Sequence, residues 1–478
     1  MASSSSSSSS SFFPPSPRDA LIATYVGRPT SDVPAPAAIL DVAVVRRNCD
    51  RMLQACADLG LRWRAHVKTH KVSKSQQTVE VMRLQVGSRG PVNLIVSTMA
   101  EAEFLLPSLL EFRPRPVNVL YGLPLARGAV PRLCAICRAL GPRSVSVLVD
   151  DPAQLPLAEE LGRDCASPAL VWIKIDMGGR RAGVTVDGSP RFRELAGAVL
   201  ESHRRRRIVL YGLYSHAGHS YGEGGDGGGK TMLRAELDAL VVGAAALRDR
   251  AKTGAGHGGG GGQDLPLTLS VGASPTALAA RDLFEGEGGG GGGLVQTVTA
   301  HGRGLLTVEL HAGVYPLLDL QQMAARSSLG WRDLALTVLA DVHAVYPGRG
   351  ARASDEALIG AGTLALGREP CKDYEGWGFV VPPSLKHCGD DVAGFRGWIV
   401  GRISQEHGIL TRRGDVVVAG GDEEETEGRT PVTGSRVRIW PNHACIASSH
   451  FGWYYVVDGD HDGDGDVVVD IWVRGRGW

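Results

Sequence analysis

Residues 64–71 read Arg-Ala-His-Val-Lys-Thr-His-Lys. From Leu61 to Lys68, apolar and basic side chains alternate, which is the period of a β-strand and places His66 and Lys68 on one face. A lysine at a strand end among other basic groups is a candidate nucleophile for a Schiff base with a carbonyl compound. The alternative, from this stretch alone, is a basic strand end that faces water.

The composition is that of a large globular protein. The chain has 478 residues, enough for two domains with separate cores, and 43% of them are hydrophobic. Lysine plus arginine number 51, as do aspartate plus glutamate, so no charge excess indicates nucleic acid or an acidic membrane as a partner. No apolar run approaches the length of a membrane span. Eight scattered cysteines without a signal peptide indicate reduced thiols and predict a cytoplasmic protein.

Short apolar runs alternate with helix-like segments up to about residue 315. Asp41 is placed to cap a helix from Val42 to Leu59, and apolar runs follow it at regular intervals. Eight strands with helices between them are the count of a (β/α)₈ TIM-type barrel, with a doubly wound sheet as the alternative. The predicted strands are 62–68, 93–97, 117–121, 145–149, 170–175, 208–214, 266–270 and 306–311.

The predicted division of the chain has four parts. Residues 1–17 form a disordered serine-rich tail, 18–40 an N-terminal arm that packs with the β domain, and 41–315 the barrel with glycine-rich loop inserts. In residues 316–478, valine-rich runs are separated by Gly, Pro and acidic turns, which predicts a C-terminal all-β domain. Active sites of barrels lie at the C-terminal strand ends, so the residues that follow each run are candidate site residues.

A second motif lies in the predicted β domain, where residues 441–445 read Pro-Asn-His-Ala-Cys. A spacing of two in extended chain points His443 and Cys445 to the same side, within reach of one metal ion. An imidazole and a thiolate suit Zn²⁺, and two protein ligands leave positions open for substrate and water. Taken alone, one His and one Cys are a weak signal.

The two motifs together resemble those of the D-serine dehydratase and D-threonine aldolase family, which are fold-type III pyridoxal-phosphate enzymes related to alanine racemase. The resemblance runs from about residue 21 to residue 478, outside the glycine-rich and acidic inserts. It implies an alanine racemase-like barrel, pyridoxal 5'-phosphate bound to Lys68, and Zn²⁺ bound to His443 and Cys445. Aldolases of the family usually carry Asp in place of the cysteine, so Cys445 favours dehydration of D-serine, with D-threonine as a further substrate.

The resemblance also implies which residues surround the pyridoxal ring. Residues 177–183 look like the family's loop that places an arginine, here Arg181, near the phenolic oxygen; a surface arginine is the alternative. Tyr214 and Tyr221 correspond to tyrosines beside the ring, with a buried structural tyrosine as the alternative. Where the racemases carry an arginine against the pyridine nitrogen, this chain has His311.

The cofactor's phosphate group would be held, by the same resemblance, at the ends of the seventh and eighth strands. Gly272, Ala273 and Ser274 look like the family's phosphate-binding residues, and Thr276 is placed to add to them. Gly313 corresponds to a second backbone contact with the phosphate. Ordinary turn chemistry would explain the same residues without a ligand.

Three other functions are alternatives for a chain with these motifs. A D-threonine aldolase would use the same lysine, cofactor and metal to cleave Cα–Cβ, and an amino-acid racemase would need a second base on the opposite face. A non-enzymatic pyridoxal-phosphate homeostasis protein would need neither the β domain nor the metal pair. Relatives of this fold form head-to-tail dimers, so the resemblance also implies a homodimer with a small D-amino acid as substrate.

Overall fold

The computed structural model describes residues 16–72, 81–186, 188–218, 226–253, 265–280, 304–325, 329–383, 392, 394–413, 430–462 and 465–478. Tyr221, most of the serine-rich tail and most of the glycine-rich inserts lie outside the described residues. The first elements are α1 (Arg18–Tyr25), β1 (Ala37–Asp41) and α2 (Val42–Asp58). The start of α2 confirms the predicted cap, because the Asp41 carboxylate accepts hydrogen bonds from the amides of Ala43 and Val44.

Eight parallel strands close into the predicted barrel, with bounds close to those expected from the apolar runs. The barrel closes where the first of these strands pairs with the last, from Arg62 opposite Glu309 to Ala65 opposite Ala312. The strands are β2 (Arg62–His66), β3 (Val92–Val96), β4 (Val117–Pro124), β5 (Val145–Val149), β6 (Ala169–Lys174), β7 (Ile208–Tyr214), β8 (Leu267–Val271) and β9 (Leu306–Ala312).

Helices follow the barrel strands and cover the outside of the barrel. Their buried faces carry Leu, Val, Ile, Ala and Cys at helical spacing, which joins them to the main core. The helices are α3 (Val81–Val86), α4 (Met99–Leu110), α5 (Val130–Leu140), α6 (Leu155–Asp164), α7 (Pro190–Arg204), α8 (Asp226–Thr253) and α9 (Ser274–Leu278). None of the described helices combines the length and apolar character that crossing a membrane requires.

The second sheet has nine described strands and includes one from the N-terminal arm. The strands that follow the barrel are β10 (Leu336–Tyr346), β11 (Glu356–Ile359), β12 (Gly378–Val380), β13 (Trp398–Ile403), β14 (Gly408–Arg412), β15 (Arg436–Pro441), β16 (Trp453–Val457) and β17 (Asp470–Val473). Their order is β11-β14-β13-β12-β15-β10-β1-β16-β17, with β1 antiparallel to β10 and parallel to β16. The short helices of this domain are α10 (Leu320–Ala324), α11 (Thr363–Leu366), α12 (Ala444–Ser449) and α13 (Gly459–Asp462).

The middle of the barrel is filled by side chains. Arg64 is fully buried and donates to Glu309 at 2.7 Å and to the Asn118 side-chain oxygen at 2.9 Å. Its guanidinium lies over the Trp172 ring, 5.4 Å from the ring centroid, and Trp172 belongs to an apolar cluster inside the barrel. The two ends of the barrel are therefore separate, and the predicted site residues lie at the C-terminal end of the strands.

Candidate active site

Lys68 lies just past the end of β2, in a loop that the β domain holds in place. Its side chain is half-buried. Arg474 donates from Nε to the His70 carbonyl at 3.0 Å and from Nη2 to the Thr69 carbonyl at 3.2 Å. The Tyr454 hydroxyl also donates to the Thr69 carbonyl, at 3.4 Å. The backbone that follows Lys68 is therefore fixed by residues about 400 positions later in the chain.

The two basic residues that follow Lys68 in the motif are His70 and Lys71, and both have structural partners. The Nδ1 atom of His70 accepts from the Val72 amide at 3.1 Å, so its Nε2 carries the proton and donates to the Gln85 side-chain oxygen at 2.8 Å. Burial lowers the pKa of His70 to about 4, which keeps the ring neutral. Lys71 forms an ion pair with the buried Glu101 at 3.0 Å. Neither residue is positioned as a nucleophile.

Three histidines from different strands surround Lys68 at the barrel mouth. His66 lies on β2, His216 follows β7, and His311 lies on β9. Burial, together with the charge of Lys68, lowers the pKa of His66 and of His216 well below its ordinary value. Burial and then the charge of Lys174 lower the pKa of His311 well below its ordinary value. The imidazoles are therefore neutral, and each offers one nitrogen as a hydrogen-bond acceptor.

Tyr214 and His311 form a stacked pair, with ring centroids 4.4 Å apart and ring planes 10° apart. The Ser270 hydroxyl donates to Glu309 at 2.9 Å, so it accepts from His311 Nδ1 at 3.0 Å. His311 Nε2 then carries the lone pair; it is buried and has no hydrogen-bond partner among the described residues. A buried nitrogen without a partner is costly, so this atom fits a site that a bound cofactor completes.

The residues predicted to hold a phosphate group come together from the ends of β8 and β9. The Ser274 hydroxyl accepts from the Val314 amide at 3.0 Å, next to Gly313, and the Thr276 hydroxyl accepts from the Ala273 amide at 2.7 Å. Gly272 has φ +135°, and a Cβ there would lie 2.2 Å from the His311 carbonyl oxygen. A side chain at position 272 is therefore excluded, because the backbone of His311 occupies that space.

Arg181 reaches the same mouth from the loop after β6. The Asp176 carboxylate accepts from the amides of Gly178 and Arg180 at 2.9 and 3.1 Å, which shapes that loop. The Arg181 guanidinium lies beside Gly218, where an added Cβ would be 3.1 Å from Nη1. Its charge contributes to the lowered pKa of His216, after burial and the effects of Lys68 and His311.

A buried pair of titratable residues beside Tyr214 was not predicted from the sequence. The Lys174 ammonium lies 5.2 Å from the centroid of the Tyr214 ring and donates to the Ile175 carbonyl at 3.2 Å. Burial lowers the pKa of Lys174 to about 8 and raises that of Glu236, on α8, to about 7; each charge opposes the shift of the other. Glu236 sits in an otherwise ordinary amphipathic helix, and no sequence pattern marks it.

His443 is the N-cap residue of α12 and Cys445 is the second residue of that helix, next to the Lys68 loop of the same chain. The extended chain predicted for this motif is therefore wrong, because the helix begins directly after His443. Cys445 Sγ is 2.9 Å from the Thr69 hydroxyl. Burial raises the pKa of Cys445, but the hydrogen bond with His443 and the charges of His443 and Lys68 outweigh it, so this pKa lies below its ordinary value. Burial lowers the pKa of His443, but Cys445 and then Asp319 raise it, to about 9.

The donor set of this pair fits a zinc ion. An imidazole and an acidified thiol, in hydrogen-bond contact with each other, are ligands that Zn²⁺ prefers. Asp319 holds the turn that carries them, since its carboxylate accepts from the Ala444 amide at 2.8 Å and from the Gln322 amide at 2.9 Å. Within the described part of the chain, no group of three or more His, Cys, Asp or Glu is arranged around a metal position. The pair therefore offers two protein ligands.

A closed parallel barrel with a lysine at the end of its first strand, covered by a β domain, defines the class of pyridoxal-phosphate enzymes related to alanine racemase. Family comparison agrees: the "Alanine racemase, N-terminal domain" family matches residues 40–262, and the "Putative serine dehydratase domain" family matches residues 335–457. The chain belongs to the D-serine dehydratase family, as the following relatives show.

The chain is 34% identical to D-serine dehydratase of Schizosaccharomyces pombe, with 96% of each chain covered. It is 30% identical to D-serine dehydratase of Saccharomyces cerevisiae, with 96% of this chain and 99% of the relative covered. Among solved structures, D-threo-3-hydroxyaspartate dehydratase from Delftia sp. HT23 superposes with a TM-score of 0.68 at 27% identity, with 94% of this chain and 100% of that one covered. A cysteine-to-alanine mutant of that enzyme, solved in the metal-free form, gives a TM-score of 0.67.

These relatives confirm three predictions made from the sequence: the family, the barrel with its C-terminal β domain, and an enzyme of the carbon–oxygen lyase class, to which dehydratases belong. The metal-free form of the Delftia enzyme indicates that members of the family bind a metal, without naming it. The roles of the individual site residues are untested by these comparisons and stay predictions.

Proposed function

We propose that this protein is a D-serine dehydratase that uses pyridoxal 5'-phosphate and Zn²⁺ to convert D-serine to pyruvate and ammonia. One observation carries the proposal: the Thr69 hydroxyl, next to Lys68, lies 2.9 Å from the Cys445 thiol. The predicted cofactor lysine and the predicted metal pair, 375 and 377 residues apart in sequence, therefore face one space. The full-length relatives with this activity support the same assignment.

The barrel residues would hold the cofactor. Lys68 would bind it covalently, the backbone at Gly272 and Gly313 with the Ser274 hydroxyl would hold its phosphate, and Arg181 would lie near its phenolic oxygen. The buried Nε2 atom of His311 would face the pyridoxal ring of the cofactor. When bound, pyridoxal phosphate supplies the electron sink that stabilises negative charge at the substrate Cα.

Two further residues predicted for the ring, Tyr214 and Tyr221, complete this proposal. Tyr214 is buried and stacks on His311, so it would fix the imidazole plane against the cofactor. We retain Tyr221 on the resemblance alone. Ala273 would contribute its backbone to the phosphate site, next to the hydroxyl of Thr276.

His443 and Cys445 would hold the zinc ion. Zinc bound there supplies a Lewis acid for the departure of hydroxide, which is otherwise a poor leaving group because water has a pKa of about 15.7. Asp319 keeps both ligands in place through the Ala444 amide. The 2.9 Å distance between Cys445 Sγ and the Thr69 hydroxyl supports assistance next to the lysine rather than at the phosphate end of the site.

Lys68 would also act as the base. Its amine approaches the site from the end of β2, so it would remove the Cα proton from one face, and the enzyme would select one enantiomer. The neutral rings of His66 and His216 surround the amine without adding positive charge. The Ser97 hydroxyl, 3.1 Å from His66 Nε2, fixes the orientation of the first of these rings.

Product analysis tests this function. We expect pyruvate and ammonia from D-serine, a lower rate of 2-oxobutyrate formation from D-threonine, and no reaction with L-serine. A single methyl group changes binding by only about 1–3 kcal/mol, so D-threonine should not be fully excluded. Glycine plus acetaldehyde from D-threonine, without pyruvate from D-serine, would instead identify an aldolase. Racemised substrate would identify a racemase, and no turnover of any D-amino acid a pyridoxal-phosphate carrier.

We also propose that the protein is a homodimer located in the cytoplasm. The resemblance to relatives that form head-to-tail dimers supports the homodimer. All seven described cysteines are free, which supports a reducing compartment such as the cytoplasm. Sedimentation of the holoenzyme at micromolar concentration should give twice the chain mass. A fully active species with the mass of one chain would contradict the dimer.

A further inference from the structure

A cavity of about 510 Å³ opens at the N-terminal end of the barrel strands, opposite Lys68. Its wall is made by residues at or near the starts of six neighbouring strands, from Arg62 on β2 to Tyr211 on β7. This volume falls within the range of small-molecule sites, roughly 300–1,000 Å³. Tyr211 packs against Trp172 at 4.9 Å, and Trp172 with Arg64 fills the barrel, so the cavity is separate from the candidate active site.

The cavity wall is strongly and only positively charged. Among the described residues, its lining includes no Asp or Glu and four arginines: Arg62, Arg113, Arg115 and Arg143. Within the described part of the chain, the structure records no ion pair for any of the four. Some other arginines on the barrel surface do have carboxylate partners, as in Arg132–Glu103 at 2.7 Å and Arg127–Glu160 at 2.5 Å. The arginines of the cavity therefore bring together charge that the protein itself does not neutralise.

Arg115 fixes part of this charge in the wall. Its guanidinium donates to four backbone carbonyls, those of residues 86, 87, 89 and 90, at 2.8–3.0 Å. It also lies over the Phe112 ring, 5.2 Å from the centroid. Burial lowers the pKa of Arg115, the direction expected where no carboxylate compensates the lost hydration. Arg115 is therefore a structural cation of the wall.

Arg62 and Arg143 differ, because both are exposed and most of their donors remain available. Within the described residues, the one side-chain hydrogen bond of Arg62 runs from Nη1 to the Thr268 hydroxyl, at 3.5 Å. Arg143 lies in the turn before β5 and has φ +63°, which is a strained conformation for a residue other than glycine. Its backbone carbonyl accepts from the Asn118 amide at 3.0 Å, so the turn itself is fixed.

We propose that this cavity binds a small phosphate ester of about nucleotide size. Arginine forks match the oxygens of phosphate groups, and two guanidinium groups with available donors, Arg62 and Arg143, beside the fixed charge of Arg115 favour a ligand with more than one negative charge. The remaining wall includes Leu109, Leu140, Leu170 and the Tyr211 ring, which suits the carbon part of an ester rather than an inorganic ion. The site is independent of the proposed dehydratase reaction.

Calorimetric titration of the holoenzyme tests the proposal, with ADP, pyrophosphate and adenosine as probes at low ionic strength. The bound cofactor blocks the phosphate site at the other end. We expect ADP to bind, pyrophosphate to bind about tenfold more weakly and adenosine not to bind, with ADP affinity falling as salt is added. The double variant Arg62→Gln, Arg143→Gln should lower the affinity for ADP at least about tenfold, which is the effect expected from the loss of a charge-assisted hydrogen bond.

The matched control is Arg127→Gln, Arg132→Gln, which removes the same charge from exposed, paired positions and should bind ADP like the wild type. Both double variants should keep the D-serine activity and the thermal transition of the parent, which separates this test from that of the proposed function. The proposal is overturned if ADP does not bind at millimolar concentration, if the cavity variant binds it as tightly as the parent, or if pyrophosphate binds as tightly as ADP.

Discussion

The barrel and the β domain contribute to the candidate active site in opposite ways. The barrel residues come from the ends of five strands, from Lys68 after β2 to Gly313 after β9. The β-domain contribution is one turn, with His443 and Cys445 held by the Asp319 carboxylate beneath them. The barrel half therefore depends on closure of the whole sheet, whereas the metal half depends on one short segment and on the Asp319 carboxylate that holds it.

The two halves also differ in their electrostatics. In the barrel half, burial and nearby cations lower the pKa of three histidines, which become neutral acceptors around the lysine. In the β-domain half, the charge of the same Lys68 helps to lower the pKa of Cys445. The first environment suits a planar anionic cofactor, and the second suits a cation bound by a thiolate. Substitutions on each side should therefore have separable effects.

The largest effect is expected from Lys68→Ala. The variant should lose the visible absorption band of the lysine-bound cofactor and lower D-serine turnover on the order of 10⁴-fold, because covalent attachment and the base are lost together. Lys71→Ala is the matched control: its side chain is paired with Glu101, so it should keep the band. An unchanged band in Lys68→Ala would show that another lysine holds the cofactor.

Removal of the metal should have a narrower effect. Lewis-acid assistance contributes several kcal/mol, so chelation or Cys445→Ala should slow D-serine elimination at least about 100-fold. The cofactor band should remain, and β-chloro-D-alanine, which carries a good leaving group, should still react. Cys165→Ala, a half-buried thiol at the end of α6, is the control and should retain zinc and activity.

The opposite result would change the assignment of the motif. If the metal-free protein or Cys445→Ala eliminated water from D-serine at the full rate, His443 and Cys445 would have a structural role. Equal losses with D-serine and β-chloro-D-alanine would place the metal's contribution in folding or substrate binding rather than at the leaving group. The ratio of the two rates is therefore the decisive measurement.

The sequence predicted the barrel half well, because its signals are periodic. Alternation and apolar runs located all eight strands, and Lys68 was assigned from its strand-end position together with the resemblance of its motif, an assignment that stays a prediction. The second sheet was less predictable. Valine-rich runs indicated strands, but not that β1 lies between β10 and β16, because pairing between residues 300 or more positions apart, such as Ala37 with Leu339 and Ile39 with Tyr455, leaves no local pattern.

The residues that the sequence did not predict are buried polar groups, and Arg474 and Tyr454 among them connect the two halves. Arg474 and Tyr454 contact the Lys68 loop, yet each lies in an ordinary strand region without a motif. Asp319 and the pair of Lys174 and Glu236 are single buried polar residues whose partners are distant in sequence. Burial of a charge is a property of the folded chain, and composition cannot distinguish it from a surface position.

Arg474→Gln should have the smallest of these effects on catalysis, and it tests whether the two halves must be aligned. Arg474 is buried and joins the carbonyls of Thr69 and His70 to those of Ser448, at the α12 end, and Phe451. Its loss should let the lysine loop and the metal turn move apart by a fraction of an ångström, at a cost of roughly 10-fold in D-serine turnover. It should also lower the free energy of unfolding by about 3 kcal/mol through the unsatisfied carbonyls.

An aligning role and a purely structural role of Arg474 predict different effects on the turnover of the two substrates. Because β-chloro-D-alanine needs the barrel half alone, its turnover by Arg474→Gln should fall much less than that of D-serine, when both are measured below the thermal transition. Arg476→Gln, two residues along and exposed, should affect neither substrate. Equal losses for both substrates would mean that Arg474 stabilises the domain interface without aligning the metal turn with Lys68.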